Sequence, residues 1–74
     1  MFDYDFYRFT RLVHFICIDK LGLVIPYDIE FEIIKKAYQD FSYSDNVENP
    51  YEEQVDFIES NISLLSELKQ ANEA

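Results

Sequence analysis

Apolar side chains recur along this 74-residue chain at intervals of three and four, in three stretches set off by its single glycine and two prolines. In the first, Phe2, Phe6, Phe9, Val13 and Ile16 fall on one stripe, and Gly22 stands where a helix closes in a left-handed residue, with Lys20 in the last turn. This spacing predicts helix 1 over residues 3–21. Leu12, Phe15, Cys17 and Ile18 lie outside the stripe, so the second half of the helix is apolar nearly all round. A helix of that kind is either central or in contact with another chain, and Leu12, Phe15 and Ile18 are the expected dimer interface. The following LVIP, residues 23–26, reads as a link, because no other segment alternates well enough to pair with it as a strand.

The second stretch predicts a helix over residues 27–41. Ile29, Ile33, Ala37 and Phe41, beside Phe31, Ile34 and Tyr38, make one broad apolar face, and Asp28, Glu30 and Glu32 occupy the turns where the helix dipole favours negative charge. The third has the clearest start: Asn49 as N-cap, Pro50 in the first helical position, and Glu52 placed to complete a capping box. Tyr51, Val55, Ile58, Ile62, Leu65 and Leu68 continue the pattern, so one helix is expected over residues 50–70, fraying in the terminal KQANEA. The whole chain, residues 1–74, is thus expected to be one all-α domain, a small antiparallel three-helix bundle open to completion by homodimerisation through helix 1, with an acidic loop at 42–49.

Composition narrows the class of answer. Hydrophobic residues form 49% of the chain and aromatics 18%, which excludes disorder, yet a domain this small draws only a few kcal/mol of net stability from one core. Cys17 is the lone cysteine and cannot form an internal disulfide, so a reducing, cytoplasmic setting is expected. The opening MFDYDFYRF carries acids where a secretory signal needs a basic region, and the apolar tract at 12–25 is too short for a bilayer and interrupted by His14, Asp19 and Lys20. No membrane association is expected.

The search for chemistry excludes more than it finds. His14 is the only histidine and has no serine beside it, so its expected role is a partly buried helix residue with its ring hydrogen-bonded. His14 and Cys17, three apart, would be half of a zinc site whose other half is missing. Aligning Asp45 with the start of a calcium loop puts Val47 at a ligand position and Pro50 where glycine is needed, and one glycine cannot build a phosphate-cradling loop. Glu52 with Asp56 would need a cleft to act as an acid–base pair. The expectation is a protein with no catalytic residues, no metal and no cofactor.

Charge points elsewhere. Fifteen acids against six bases give a net charge of −9, and the bases are scattered, which opposes direct binding of nucleic acid or anionic lipid. Between Ala37 and Leu68 lie Asp40, Asp45, Glu48, Glu52, Glu53, Asp56, Glu59 and Glu67 with no base among them. Glu52, Asp56 and Glu59 stack like charges on one helix face, an arrangement costing roughly a few tenths of a kcal/mol per pair. Tyr43 and Tyr51 sit within the cluster, and tyrosine is enriched at binding hot spots. Asp45, Glu48, Tyr43, Tyr51, Glu52, Glu53, Asp56 and Glu59 are therefore the expected partner-binding residues. The expected function is a non-enzymatic inhibitor whose carboxylates occupy the phosphate positions on a basic, nucleic-acid-handling protein: a nuclease, restriction or CRISPR-type effector. Immunity proteins against nuclease toxins and phage-encoded DNA mimics share this small, acidic composition. The competing expectation is a structural or assembly subunit joined through an apolar helical interface, its acids serving solubility only.

Overall fold

Asp3 starts the first helix by accepting the Phe6 backbone N–H on its carboxylate at 3.0 Å, which satisfies one of the donors a helix N-terminus leaves open. The computed structural model describes residues 3–72; Met1, Phe2, Glu73 and Ala74 lie outside them. Within that span every regular element is helical: α1 (Tyr4–Val13), running directly into a π-helical segment (His14–Asp19), then α2 (Tyr27–Asp40), α3 (Pro50–Ser60) and α4 (Ile62–Ala71). No helix among the described residues is long and apolar enough to cross a membrane. Gly22 ends the first helix as expected, at φ 65°. Its N–H bonds to the Asp19 carbonyl at 3.2 Å and that of Leu23 to the Ile18 carbonyl at 2.9 Å, the paired closure of a Schellman motif. Residues 23–26 form the expected link.

α1 packs against both α2 and α3, while α4 packs on α2 and touches the π segment. The molecule measures 41 × 28 × 18 Å. One contiguous core lies between the helices. Phe9, Leu12, Val13, Cys17, Ile18, Ile34, Ala37, Ile58, Leu64 and Leu68 fill it.

The π segment explains how one helix buries so many of its residues. Val13 and Ile18 are both buried, yet five positions on an ordinary α-helix are about 140° apart around the axis. Widening the turn to i→i+5 brings them towards one face. Leu12 and Ile18, expected at a dimer interface, are instead core residues of the chain itself, and only Phe15 of that trio is exposed, at 71%. Helix 1 is the central element of the bundle, with Leu12, Cys17 and Ile18 buried within the chain and Phe15 left at the surface.

The single helix expected at 50–70 is two. Asn61 adopts φ −89°, ψ 87°, closing α3, and its side chain accepts the Leu64 N–H at 3.0 Å, opening α4. Ser60 assists by donating its hydroxyl to the Asp56 carbonyl at 2.8 Å, a back-bond that competes with continuation. The break rotates everything after it. A continuous helix would bury Ile62 four residues beyond Ile58, but Ile62 is 81% exposed and Leu64 takes its place inside at 1%. α4 then holds its helical form to Ala71 instead of fraying from Lys69, and Asn72 accepts the Val24 N–H at 2.6 Å, tying the end of α4 to the link.

One polar atom is poorly served. Among the described residues, the Thr10 hydroxyl is the buried side-chain oxygen without a hydrogen-bond partner. Thr10→Val keeps the shape and removes the unmatched group, so it is expected to leave stability unchanged or raise it by about 1 kcal/mol in chemical denaturation. A loss above that size would show that the hydroxyl is bonded in solution.

Candidate functional site

The acidic residues gather where α3 begins. Asn49 accepts the Glu52 N–H at 3.1 Å and Pro50 fills the first turn, so α3 starts as the sequence predicts. The reciprocal half of the capping box is different: the Glu52 carboxylate meets the Asn49 side-chain amide at 3.5 Å. Asn46, Glu48, Asn49, Glu52, Glu53 and Asp56 surround a shallow depression of about 260 Å³. No base lines it, whereas three other hollows include Lys69, Lys20 and Lys36 respectively.

The expected partner-binding residues divide. Glu48, Glu52 and Asp56 are exposed around this depression, and Asp45 is exposed nearby in the chain. Glu53 is engaged, accepting the Ser44 N–H at 2.9 Å and the Ser44 hydroxyl at 2.8 Å, which fastens the acidic loop to α3. Glu59 lies apart: it lines a separate hollow with Phe15, Ile16, Asp19 and Lys20. Tyr51 is 56% exposed, so it lies outside the core and is available at the surface.

Tyr43 is not a free anchor for a partner. Its ring meets Phe41 edge-on at 4.8 Å, and its hydroxyl donates to Asp5 and accepts from Arg8 at 2.8 Å. Asp5 is the centre of a network that joins α1, α2, the acidic loop and α3. One carboxylate oxygen takes Arg8 at 2.6 Å and the Tyr43 hydroxyl; the other takes the Tyr38 hydroxyl at 2.8 Å and the Gln54 amide at 3.3 Å. Four donors fill the acceptor capacity of a carboxylate. Gln54, 0% exposed, closes the circuit by accepting from Arg8 Nε at 2.8 Å and donating to the Asp5 backbone carbonyl at 3.1 Å. Every polar group of this fully buried side chain is thereby matched, which is the condition for tolerating it inside.

The network raises the pKa of both phenols. For Tyr38 and Tyr43 the first cause is burial, followed by the hydrogen bond to Asp5 and its negative charge; Arg8 works against the shift at Tyr43. A phenol with a raised folded pKa stays protonated while the unfolded chain ionises near the ordinary value of 10.0. Its contribution is complete below that pH and is lost as pH climbs through the folded value. Tyr38, the more strongly shifted of the two, is therefore expected to ionise only as the protein unfolds in alkali, so that tyrosinate absorbance and loss of helical circular dichroism share a late step. Tyr38→Phe should shrink the absorbance part of that step. Independent curves would contradict the network.

His14 has the bonded role expected of it. The π turn sets it five residues from Asp19, with Nε2 to Oδ1 3.1 Å, and Nδ1 faces Glu30 of α2 at 3.2 Å. Cys17 is buried, and burial, then the charge of Glu59, pushes its thiol pKa up, away from the nucleophilic thiolate. Among the described residues no three histidine, cysteine or acidic side chains converge as a metal site.

No protein-family model, curated protein or solved structure matches this chain. The surface and its supports must therefore be read from their own chemistry. Sequence reasoning missed Asp5, Arg8, Tyr38 and Gln54 as a unit. The available signal was local: Asp5 and Arg8 are an i, i+3 pair, and Gln54 stands one turn before Ile58 on the inward face of α3.

Proposed function

We propose that this protein is a non-enzymatic, cytoplasmic inhibitor that covers the basic nucleic-acid-binding surface of another protein. The observation that carries the reading is the depression at the start of α3, edged by Glu48, Glu52, Glu53 and Asp56 and by no lysine or arginine. Exposed carboxylates spaced along a rigid helix and an adjoining loop present acceptors where the guanidinium and ammonium groups of such a partner meet phosphate oxygens. Association would be electrostatically steered and fast, and the exposed ring of Tyr51, one residue from Glu52, adds apolar contact area beside the charges. A nuclease or a restriction or CRISPR-type effector has the required surface.

The assembly-subunit reading draws on less. Burial of Leu12 and Ile18 within the chain leaves Phe15 as the exposed member of the expected interface. The test is a pull-down from the native host followed by salt-dependent binding of the protein recovered. Capture of a basic nucleic-acid-binding protein, with affinity falling steeply between low and high salt, supports occlusion. Self-association insensitive to salt would replace it with the assembly reading.

A further inference from the structure

We infer that Tyr43 is a positioning residue, a latch whose hydroxyl, held by Asp5 and Arg8, fixes the acidic loop against α1 and so sets where Asp45, two residues on, stands relative to α3. The functional meaning of the latch rests on the occlusion reading; its mechanical role does not.

Residues 42–49 have no regular structure, and most of them are exposed. Such a segment holds a single shape only where specific contacts repay its conformational entropy. Its attachments fall on two neighbouring residues. Tyr43 turns inward, its ring against Phe41 and its hydroxyl on Asp5 and Arg8 of α1. Ser44 turns the other way, its N–H and hydroxyl on Glu53 of α3. The loop is thereby pinned between two helices at one point, and from there the chain runs to its second fixed end at the Asn49 cap of α3. Asp45, Asn46, Val47 and Glu48 lie between these points.

The two pins differ in strength. Both end on a carboxylate, but the Ser44–Glu53 contacts are exposed, whereas those of Tyr43 are part-buried and add a charged donor, Arg8. Hydrogen bonds to charged groups removed from water contribute more than exposed ones. Asp5 is itself fixed by Tyr38 and Gln54, so the loop is fastened to a point already locked into the bundle. A preorganised acidic edge avoids the ordering cost that a floppy acidic loop would meet on binding.

The test is 15N relaxation of the backbone amides on the full chain, comparing wild type with Tyr43→Phe, which keeps the ring and every formal charge. Order parameters at residues 42–48 are expected to fall from the rigid range of about 0.85 to below about 0.6, while those of α4 stay high. Unchanged order parameters at 42–48 would overturn the latch and assign the loop to the Ser44–Glu53 contacts and the Phe41 packing. A uniform fall across the chain would also overturn it, by making the network a general stabiliser. Glu53→Ala, which removes the acceptor of the other pin, should loosen the same residues less than Tyr43→Phe; the reverse order would overturn the assignment. None of these measurements needs a partner, so failure of the latch is distinguishable from failure of the occlusion reading.

Discussion

Replacing Phe9 by alanine is expected to abolish cooperative folding at room temperature. Phe9 is 0% exposed and lies at the crossing of the bundle, its ring 5.2 Å from Tyr38 of α2, 6.0 Å from Phe41 and 6.1 Å from Phe57 of α3. Truncating a buried phenylalanine costs about 3–5 kcal/mol, through lost transfer energy and the cavity left behind. A single core in a chain this small supplies only about 3–5 kcal/mol of net stability, so the loss is as large as the whole. Phe15→Ala is the matched control: its ring is largely in solvent, so stability should move by no more than about 0.5 kcal/mol. Urea denaturation followed by circular dichroism checks both. A Phe9→Ala variant with the wild-type midpoint would mean that the aromatic crossing is not the keystone of the fold.

The second large effect is on binding. Glu48→Lys with Asp56→Lys and Glu52→Gln leaves Glu53 as the lone carboxylate of the depression, still available to hold Ser44. Glutamine at position 52 leaves the Asn49 cap in place, since that cap is received by the backbone N–H of residue 52. The replaced side chains are exposed and away from Gln54 and Ile58, so the variant should unfold within about 1 kcal/mol of wild type. If the acids stand in for phosphates, ammonium groups now face the partner's own bases, and affinity should fall by orders of magnitude, with the largest loss in association rate at low salt. Unchanged affinity in the folded variant would reduce the acidic edge to solvated surface.

Much of the latch and the acidic edge was only half legible before the fold. The acid-rich span from Asp40 to Glu67 is a property of composition, and the α3 start is written in Asn49, Pro50 and Glu52. Which acids are free and which are engaged was not. Glu53 and Tyr43 looked like their neighbours in sequence, but one grips Ser44 and the other grips Asp5 across 38 positions of chain. Glu59, by spacing a member of the same charged row, lines a different hollow beside Phe15 and Lys20.

By itself the sequence determined the helical class, the Schellman stop at Gly22, the link at 23–26, the bounds of α2 and the cap of α3. Each follows from backbone preferences or hydrogen bonds within a few residues, so each is present wherever the chain goes. Only the tertiary structure decided that helix 1 would be central, that the last helix would break at Asn61 and that Gln54 would be buried. Three- and four-residue periodicity shows that a helix has an apolar face but not what will cover it. The π turn at His14–Asp19 and the break at Asn61 rotate the residues beyond them, exchanging Ile62 for Leu64 inside. Gln54 can be buried because Asp5 and Arg8, 49 and 46 positions away, supply its partners, and that match exists only once α1 lies against α3.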